Sequence, residues 1–245
     1  MTPTLTMVLG MLLAAPPRPR EWLVAAGLAL ETLHRPGQAA ECYQRAGHTY
    51  GAAEVKRFAR GRAKAVRARV VYNLDLVLAG LEEKIRARGG HVHFAKTGAD
   101  AVEYCLSVAR RHGVSRVVKG KSMVSEEIGL NEALEAAGIE AVETDLGEYI
   151  VQLKGESPSH IIAPAIHKSR EAVGRLFRDK LGIPYTDDPP TLTLAARTAL
   201  RKKFLQADMG ISGCNLACAE TGHITTLSNE GNIRMASTLP RIHMV

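Results

Sequence analysis

Arg116-Val117-Val118-Lys119-Gly120-Lys121-Ser122-Met123-Val124-Ser125-Glu126-Glu127, closed further on by Ile139-Glu140-Ala141-Val142-Glu143, is the stretch on which the fold turns. It holds two short apolar runs too brief for helices and bounded by charged or glycine residues, which is the pattern of buried strands. Ser125 to Ala137 between them has helical spacing, with Glu126 and Glu127 in the first turn where the helix dipole favours carboxylates. Outward on the N-terminal side, His91-Val92-His93-Phe94-Ala95 reads as a further strand. Asp100 to His112 reads as a helix with Ala101, Val102, Cys105, Val108 and Ala109 on one face. The pattern strand, helix, strand, helix, strand predicts an α/β fold, a parallel-core sheet with helices on both faces and right-handed crossovers.

Further upstream, Glu54 to Arg88 reads as one long helix or two joined helices, stopped by Gly89-Gly90. Residues 1–53 read as an N-terminal tail followed by a helical hairpin, Glu21 to Leu33 and Gln38 to Ala46. Ala39 to Ala46 is similar to half of a tetratricopeptide repeat, but no second copy follows. The expected organisation is therefore an appendage over 1–53 and the main domain over 54–245. Downstream, Ser159 to Ile166 is apolar, His167 to Leu181 helical, Asp187-Asp188-Pro189-Pro190 a loop, and Leu192 to Ala207 helical. Gly222 to Leu227 and Arg241 to Val245 are strand-like, and Ile242 to Val245 is expected to leave an unpaired strand edge.

With 245 residues, 46% of them hydrophobic and 23% charged, the chain has the balance of a globular protein. Aromatic residues make up only 4%, so Val, Ile, Leu and Ala must build the core. Cys42, Cys105, Cys214 and Cys218 are few and scattered, which fits a reducing, cytoplasmic setting rather than a disulfide scaffold. They also lack the paired CxxC spacing of a metal site, so no metal is expected.

The net charge of +7 is concentrated between Lys56 and Arg69, where seven basic residues stand with no acidic one. Lys56, Arg57, Arg60, Lys64 and Arg67 share one helix face, and Val55, Ala59, Ala63, Val66 and Val70 lie on a neighbouring face able to pack. The basic face is either a solvated surface or a docking face for an acidic partner subunit or a membrane surface. Without interleaved aromatics or a nucleic-acid motif, no nucleic-acid partner is expected. The apolar stretch Met7 to Ala15 is too short to span a bilayer, so no transmembrane segment is expected.

Chemistry-bearing residues follow the short apolar runs, at the edge where open parallel sheets bind ligands. Lys119 and Lys121 stand between a strand and a helix that Ser122 or Ser125 can cap, an arrangement that suits an anion. In Val142-Glu143-Thr144-Asp145-Leu146-Gly147-Glu148, Asp145 can cap the following turn with Glu148 three residues on. Glu143 has no such role, and a half-buried carboxylate there calls for Lys119 or Lys121 as its partner. His160 and His167 are each either acid–base groups or structural. Glu220-Thr221-Gly222 and Asn229-Glu230-Gly231-Asn232 form either two turns of a hairpin or two walls of a polar pocket. Glu143, His160 and Glu220 are the candidate catalytic groups. Lys119, Lys121, Ser122, Asp145, Glu148, Asn229, Glu230 and Asn232 are the candidate substrate- or anion-binding groups.

The run KGKSMVSEEIGLNEALEAAGIEAVETDLGEYIVQL, then PSHIIAPAIHKSREAV, GISGCNLACAETG and SNEGNIRMASTLPRIH, resembles the LUD domain. More specifically, it resembles the lactate-utilisation protein B family, bacterial iron–sulfur subunits of a three-protein system oxidising L-lactate to pyruvate. The resemblance runs from about Lys64 to Val245. It implies a fold related to phosphosugar isomerases and CoA-transferases, a small carboxylate substrate, and other lactate-utilisation subunits as partners. It also implies a ferredoxin-like region beyond this chain whose clustered cysteines hold [4Fe–4S] centres. Four scattered cysteines cannot supply those ligands, so this chain is expected to hold no cofactor, to lack the electron-transfer region, and to turn over no lactate alone. A CoA-transferase- or isomerase-like enzyme working through Glu143 or Glu220, and a non-catalytic assembly module docking through the Lys56 to Arg69 helix, are the alternatives.

Overall fold

The computed structural model describes residues 52–156, 158–159 and 163–245. The expected tail and hairpin of residues 1–46 lie outside the described residues, as does His160. The chain divides into two compact units, Met1–Lys84 and Ile85–Val245.

Helix α1 (Ala52–Tyr72) lies in the first unit and is followed by α2 (Leu74–Ala87), whose last residues, from Ile85, belong to the second. They separate at Asn73, whose side-chain amide donates to the Arg69 carbonyl, so the two-helix form of the expectation is the one adopted. Arg60, Lys64, Arg67 and Arg69 are exposed. Val66 on the face expected to pack is also 59% exposed, because no described element of this unit covers it. The stop at Gly89-Gly90 is as expected: Gly89 takes φ 83°, and the amides of Gly89 and Gly90 close on the carbonyls of Arg86 and Ile85, the pairing of a glycine-ended helix.

The second unit is built on a four-stranded sheet. It comprises β1 (Arg116–Lys119), β2 (Glu140–Glu143), β3 (Met209–Ile211) and a last strand, β6 (Ile242–Met244), in the order β2-β1-β3-β6. All three pairings are parallel. Between β3 and β6 the chain forms a separate antiparallel ribbon, β4 (Leu216–Cys218) with β5 (His223–Thr225).

The helices are α3 (Gly98–Arg111), α4 (Met123–Glu127), α5 (Leu130–Ala136), α6 (Leu146–Lys154), α7 (Arg170–Leu181), α8 (Pro189–Leu205) and α9 (Asn232–Thr238). Successive strand residues face opposite sides, and the core divides accordingly. Val117, Ala141, Met209 and Ile211 pack with Leu106 and Ala109 of α3 and Leu130 and Leu134 of α5. Val118 and Val142 pack with Tyr149 and Ile150 of α6, Phe177 of α7, Ala196 and Leu200 of α8, and Ala236 of α9. The sheet therefore carries helices on both faces, as the strand pattern implied.

Four local expectations are corrected. His91 to Ala95 is not a strand: it is irregular and mostly exposed, with Phe94 at 52%. Its ordering comes from His93, which stacks on Tyr104 at 4.1 Å, rather than from a pairing that would bury apolar surface. The helix expected from Ser125 to Ala137 breaks in two, because Gly129 adopts a left-handed φ of 64° that a residue with a side chain avoids. The helix expected from His167 begins instead at Arg170, since Ser169 accepts from the Ala172 amide and caps it. Pro189 and Pro190 are not loop but the first turn of α8, capped by Asp188; proline lacks only an amide that would be unpaired there anyway.

Helix α9 lies directly on β3. A Cβ at Gly210 would stand 1.7 Å from the Ala236 carbonyl oxygen. We expect Gly210→Ala to cost about 3 kcal/mol or more, the upper end for overpacking. Gly213→Ala, whose Cβ would meet only the Ser122 side chain at 3.6 Å, is expected to be near neutral. Urea denaturation of the two variants checks this contrast.

Candidate active-site edge

β1 leads through α4 and α5 to β2 on one side, whereas β3 lies on the other side of β1. Strand order therefore reverses between β1 and β3, and in such sheets the crevice past the strand ends at the reversal is the ligand site. Lys119, Gly120, Lys121 and Ser122 leave β1 there, and Ser212 and Gly213 leave β3. The two strand ends are tied by the Gly120 amide on the Ile211 carbonyl at 2.8 Å. A Cβ on Gly120 would come 2.8 Å from Ile233 of α9, so glycine is needed at this turn.

Lys119 and Glu143 are register partners at the ends of β1 and β2. Their residue exposures are 1% and 5%, and Nζ lies 2.8 Å from Oε1. Lys119 also donates to Ser125 Oγ at 3.0 Å, and that hydroxyl in turn donates to the Ser122 carbonyl. The Asn131 amide donates to the same Glu143 oxygen at 2.7 Å. Glu143 Oε2 and Asn131 Oδ1 are buried and accept nothing from the protein. Burial raises the Glu143 pKa, and the attraction of Lys119 offsets this only in part.

Lys121 is the more accessible cation, its side chain 21% exposed. It is ion-paired with the buried Glu148 of α6 and lies 3.9 Å from Glu126. Asp145 caps α6 as anticipated, accepting from the amides of Gly147 and Glu148 at 3.1 and 3.3 Å. Glu148 does not complete a capping box; its carboxylate goes to Lys121 instead. The remaining first-turn amide, that of Leu146, donates to Glu230 Oε2 at 3.1 Å. Desolvation at the edge, and secondarily the nearby Asp145 carboxylate, raise the Glu230 pKa although one flank of the residue stays open to solvent.

Asn232, at the start of α9, donates to Thr144 Oγ1 at 3.2 Å and accepts from Ser228 Oγ at 3.0 Å. Thr144 in turn donates to the Lys119 carbonyl at 2.8 Å. Ser122 caps α4, accepting weakly from the Ser125 amide at 3.5 Å.

The fold therefore brings Lys119, Lys121, Ser122, Glu143, Asp145, Glu148, Glu230 and Asn232 together. Asn229 is exposed in the bend before α9. Glu220 is exposed in the β4–β5 turn, and no hydrogen bond or ion pair joins it to this edge among the described residues. The 220–222 segment is thus a hairpin turn, with Gly222 at φ 74°. Ser125, Asn131 and Thr144 also touch this cluster; the sequence offered Ser125 only as a helix cap and gave no sign of the other two. Asn131 and Ser125 sit at ordinary helix positions, and only the strand register shows that they meet the lysine–glutamate pair.

A family model described as LUD domain matches residues 78–245. The chain belongs to the LUD domain family. It is 50% identical over 185 residues to the uncharacterized electron transport protein YkgF of Escherichia coli (strain K12), a match covering 76% of this chain and 39% of that protein. It is 49% identical over 183 residues to lactate utilization protein B of Bacillus subtilis (strain 168), covering 74% of this chain and 38% of that one. Lactate utilization protein B of Oceanobacillus iheyensis is 50% identical over 175 residues, covering 71% and 37%. The chain thus spans about two fifths of the length of the curated relatives it matches. No solved structure matches it.

Among the described residues, Cys105, Cys214 and Cys218 do not converge as the ligands of an iron–sulfur cluster would. Cys105 donates to Met244 Sδ at 3.0 Å and Cys214 to the Leu216 carbonyl. No three His, Cys, Asp or Glu residues converge as metal ligands among the described residues. No described helix is long and apolar enough to cross a membrane.

Removing one member of the buried pair strands the other. We expect Lys119→Met to cost about 3–5 kcal/mol. A carboxyl whose folded pKa lies above its unfolded value binds protons more tightly when folded, so its contribution falls as pH rises between the two. The stability of Glu143→Gln relative to the native chain should therefore improve as pH rises above 4.5, the ordinary value for glutamate. Urea denaturation across that range checks the sign.

Proposed function

We propose that this chain is the LUD-domain portion of an L-lactate-oxidising system, and that the β1/β3 edge binds the carboxylate of the 2-hydroxy acid. The observation that carries this reading is the buried Lys119–Glu143 pair beside the more accessible Lys121 at the reversal of strand order. The names carried by relatives about half identical over three quarters of this chain support the substrate class.

Lys121 is the cation a ligand carboxylate can reach, competing with Glu148 for it. Lys119, locked between Glu143 and Ser125, orients the strand ends and holds Glu143 at the crevice. Glu143 has a raised pKa and one oxygen without a hydrogen-bond partner; that oxygen is buried, so it accepts a hydroxyl proton only once a ligand opens the edge that covers it. Oxidation of lactate to pyruvate also needs a two-electron acceptor. No residue among those described supplies one, so it comes from outside them, from a further region like the one the relatives' greater length leaves room for or from other lactate-utilisation subunits. The exposed basic face of α1 is a suitable docking surface for such an acidic partner.

The purified chain is expected to bind L-lactate in isothermal titration calorimetry. Lys121→Ala should weaken binding about tenfold or more, the ~1.4 kcal/mol or greater expected for a hydrogen bond to a charged group. Absence of binding, or binding unchanged in Lys121→Ala, would overturn the edge assignment. Mixed with lactate and a dye acceptor, the chain alone should reduce no dye; steady turnover would refute the division of labour between subunits.

A further inference from the structure

A second constellation lies away from the lysine pairs, in the segment between α6 and α7. Ser159 Oγ lies 2.6 Å from His167 Nδ1, and His167 Nε2 lies 3.2 Å from Glu156 Oε2. Lys168 Nζ lies 2.5 Å from that same Glu156 oxygen. The Lys168 ammonium first, and His167 second, hold the Glu156 carboxyl below the ordinary range, so it is ionised at neutral pH. We infer that Ser159, His167 and Glu156 form a nucleophilic site, with Ser159 Oγ accepting acyl groups from activated esters or thioesters.

The tautomer follows from the neighbours. An ionised Glu156 can only accept, so the neutral imidazole carries its proton on Nε2 and presents Nδ1 as a bare acceptor. Ser159 Oγ has two acceptors in reach, His167 Nδ1 at 2.6 Å and the Pro164 carbonyl at 3.0 Å. The shorter contact directs its proton to the imidazole, which is the arrangement of a serine, a base and an orienting acid. It differs from the usual triad in which ring nitrogen faces the serine, in the exposure of the acid, and in the Lys168 ammonium that shares the acid's oxygen.

The site is anchored. The Ser159 amide donates to the Pro164 carbonyl at 3.2 Å. Pro164 is buried against the first turn of α6, where a Cβ on Gly147 would stand 3.1 Å from its ring. Ser159 and His167 are exposed residues, so an acyl donor can reach the hydroxyl.

The step balances within these residues and the donor. Ser159 Oγ attacks the acyl carbon as its proton passes to His167 Nδ1, and Glu156 stabilises the imidazolium. The bond from the acyl carbon to the alcohol or thiol then breaks, and the leaving group takes the proton from Nδ1. Water attacks the resulting serine ester by the same route, releasing the carboxylic acid and restoring the hydroxyl.

The test treats the full chain with a fluorophosphonate probe and maps the adduct by peptide mass spectrometry. Attack forms the Oγ–P bond, breaks P–F, and releases fluoride together with the serine proton. A single adduct on Ser159 is expected, absent in Ser159→Ala and slower by about a hundredfold in His167→Asn, within the range for loss of a general base. Glu156→Gln, which keeps the shape and removes the charge, should give an intermediate rate. Labelling of the native chain at another residue, or no labelling, overturns the inference whatever the folding of the variants. So does an adduct rate on Ser159 that is the same in Glu156→Gln as in the native chain.

Discussion

A lysine and a glutamate lie side by side on adjacent parallel strands, almost wholly removed from water, and the rest of the sheet edge is arranged around them. Each ion alone would be costly to bury; together, with Ser125 and Asn131 donating or accepting at 2.7–3.0 Å, they are tolerated. The requirement that Nζ meet the carboxylate ties β1 to β2 at one register. It also places Ser125 of α4 and Asn131 of α5 on the same side of the sheet as the two side chains. The backbone of the edge strand β2 is completed from the far side by Gln152, which accepts from the Glu143 amide and donates to the Ala141 carbonyl. A strand edge that would otherwise offer open hydrogen bonds is thereby closed.

The consequence is an edge in which charge is already balanced internally. Lys119 belongs to Glu143 and Lys121 to Glu148, while the first-turn amides of α6 belong to Asp145 and Glu230. A small carboxylate entering this crevice has to displace one of the protein's own carboxylates, and Glu148 on the partly accessible Lys121 is the candidate. The displaced Glu148 stays tethered to α6, so the crevice gains one negative charge, and binding there depends on shape and on where Glu148 finds a new partner or water. Membership of the LUD domain family is secure from the long match over residues 78–245.

Much of this was legible in the linear order. Val117-Val118 and Ala141-Val142 read as buried strands because short apolar runs bounded by charge have few other uses, and both are buried in the sheet. Asp145 read as a helix cap from its position, and Glu143 read as a carboxylate in need of a lysine by elimination; both hold. What misled was local. His91 to Ala95 has strand-like alternation, but alternation is only an opportunity to bury one face, and no strand among the described residues pairs with it. Gly129 divides a helix whose periodicity runs straight through it, since periodicity does not register a left-handed φ. Pro189-Pro190 read as a breaker, yet proline is well suited to a helix's first turn. Glu220 stands in a hairpin turn, and Ser159, His167 and Glu156 meet where Ser159 is held on the Pro164 carbonyl, a contact that no sequence spacing marks.

The sequence by itself determined the α/β class, the family, the two strands flanking α4 and α5 and the residue types at their ends, because burial period and capping chemistry act over a few residues and leave a local trace. Only the tertiary structure decided which cation meets which carboxylate. It also decided which polar atoms are left without a partner inside, and which hydroxyl faces an imidazole. The ion pairs and their neighbours depend on strand register and on packing across 24 to 88 positions of chain, as with Lys119 and Glu143 or Thr144 and Asn232, and Ser159 meets His167 across a connection eight positions long. Over such separations the geometry is set by the whole core, and no spacing in the sequence carries it.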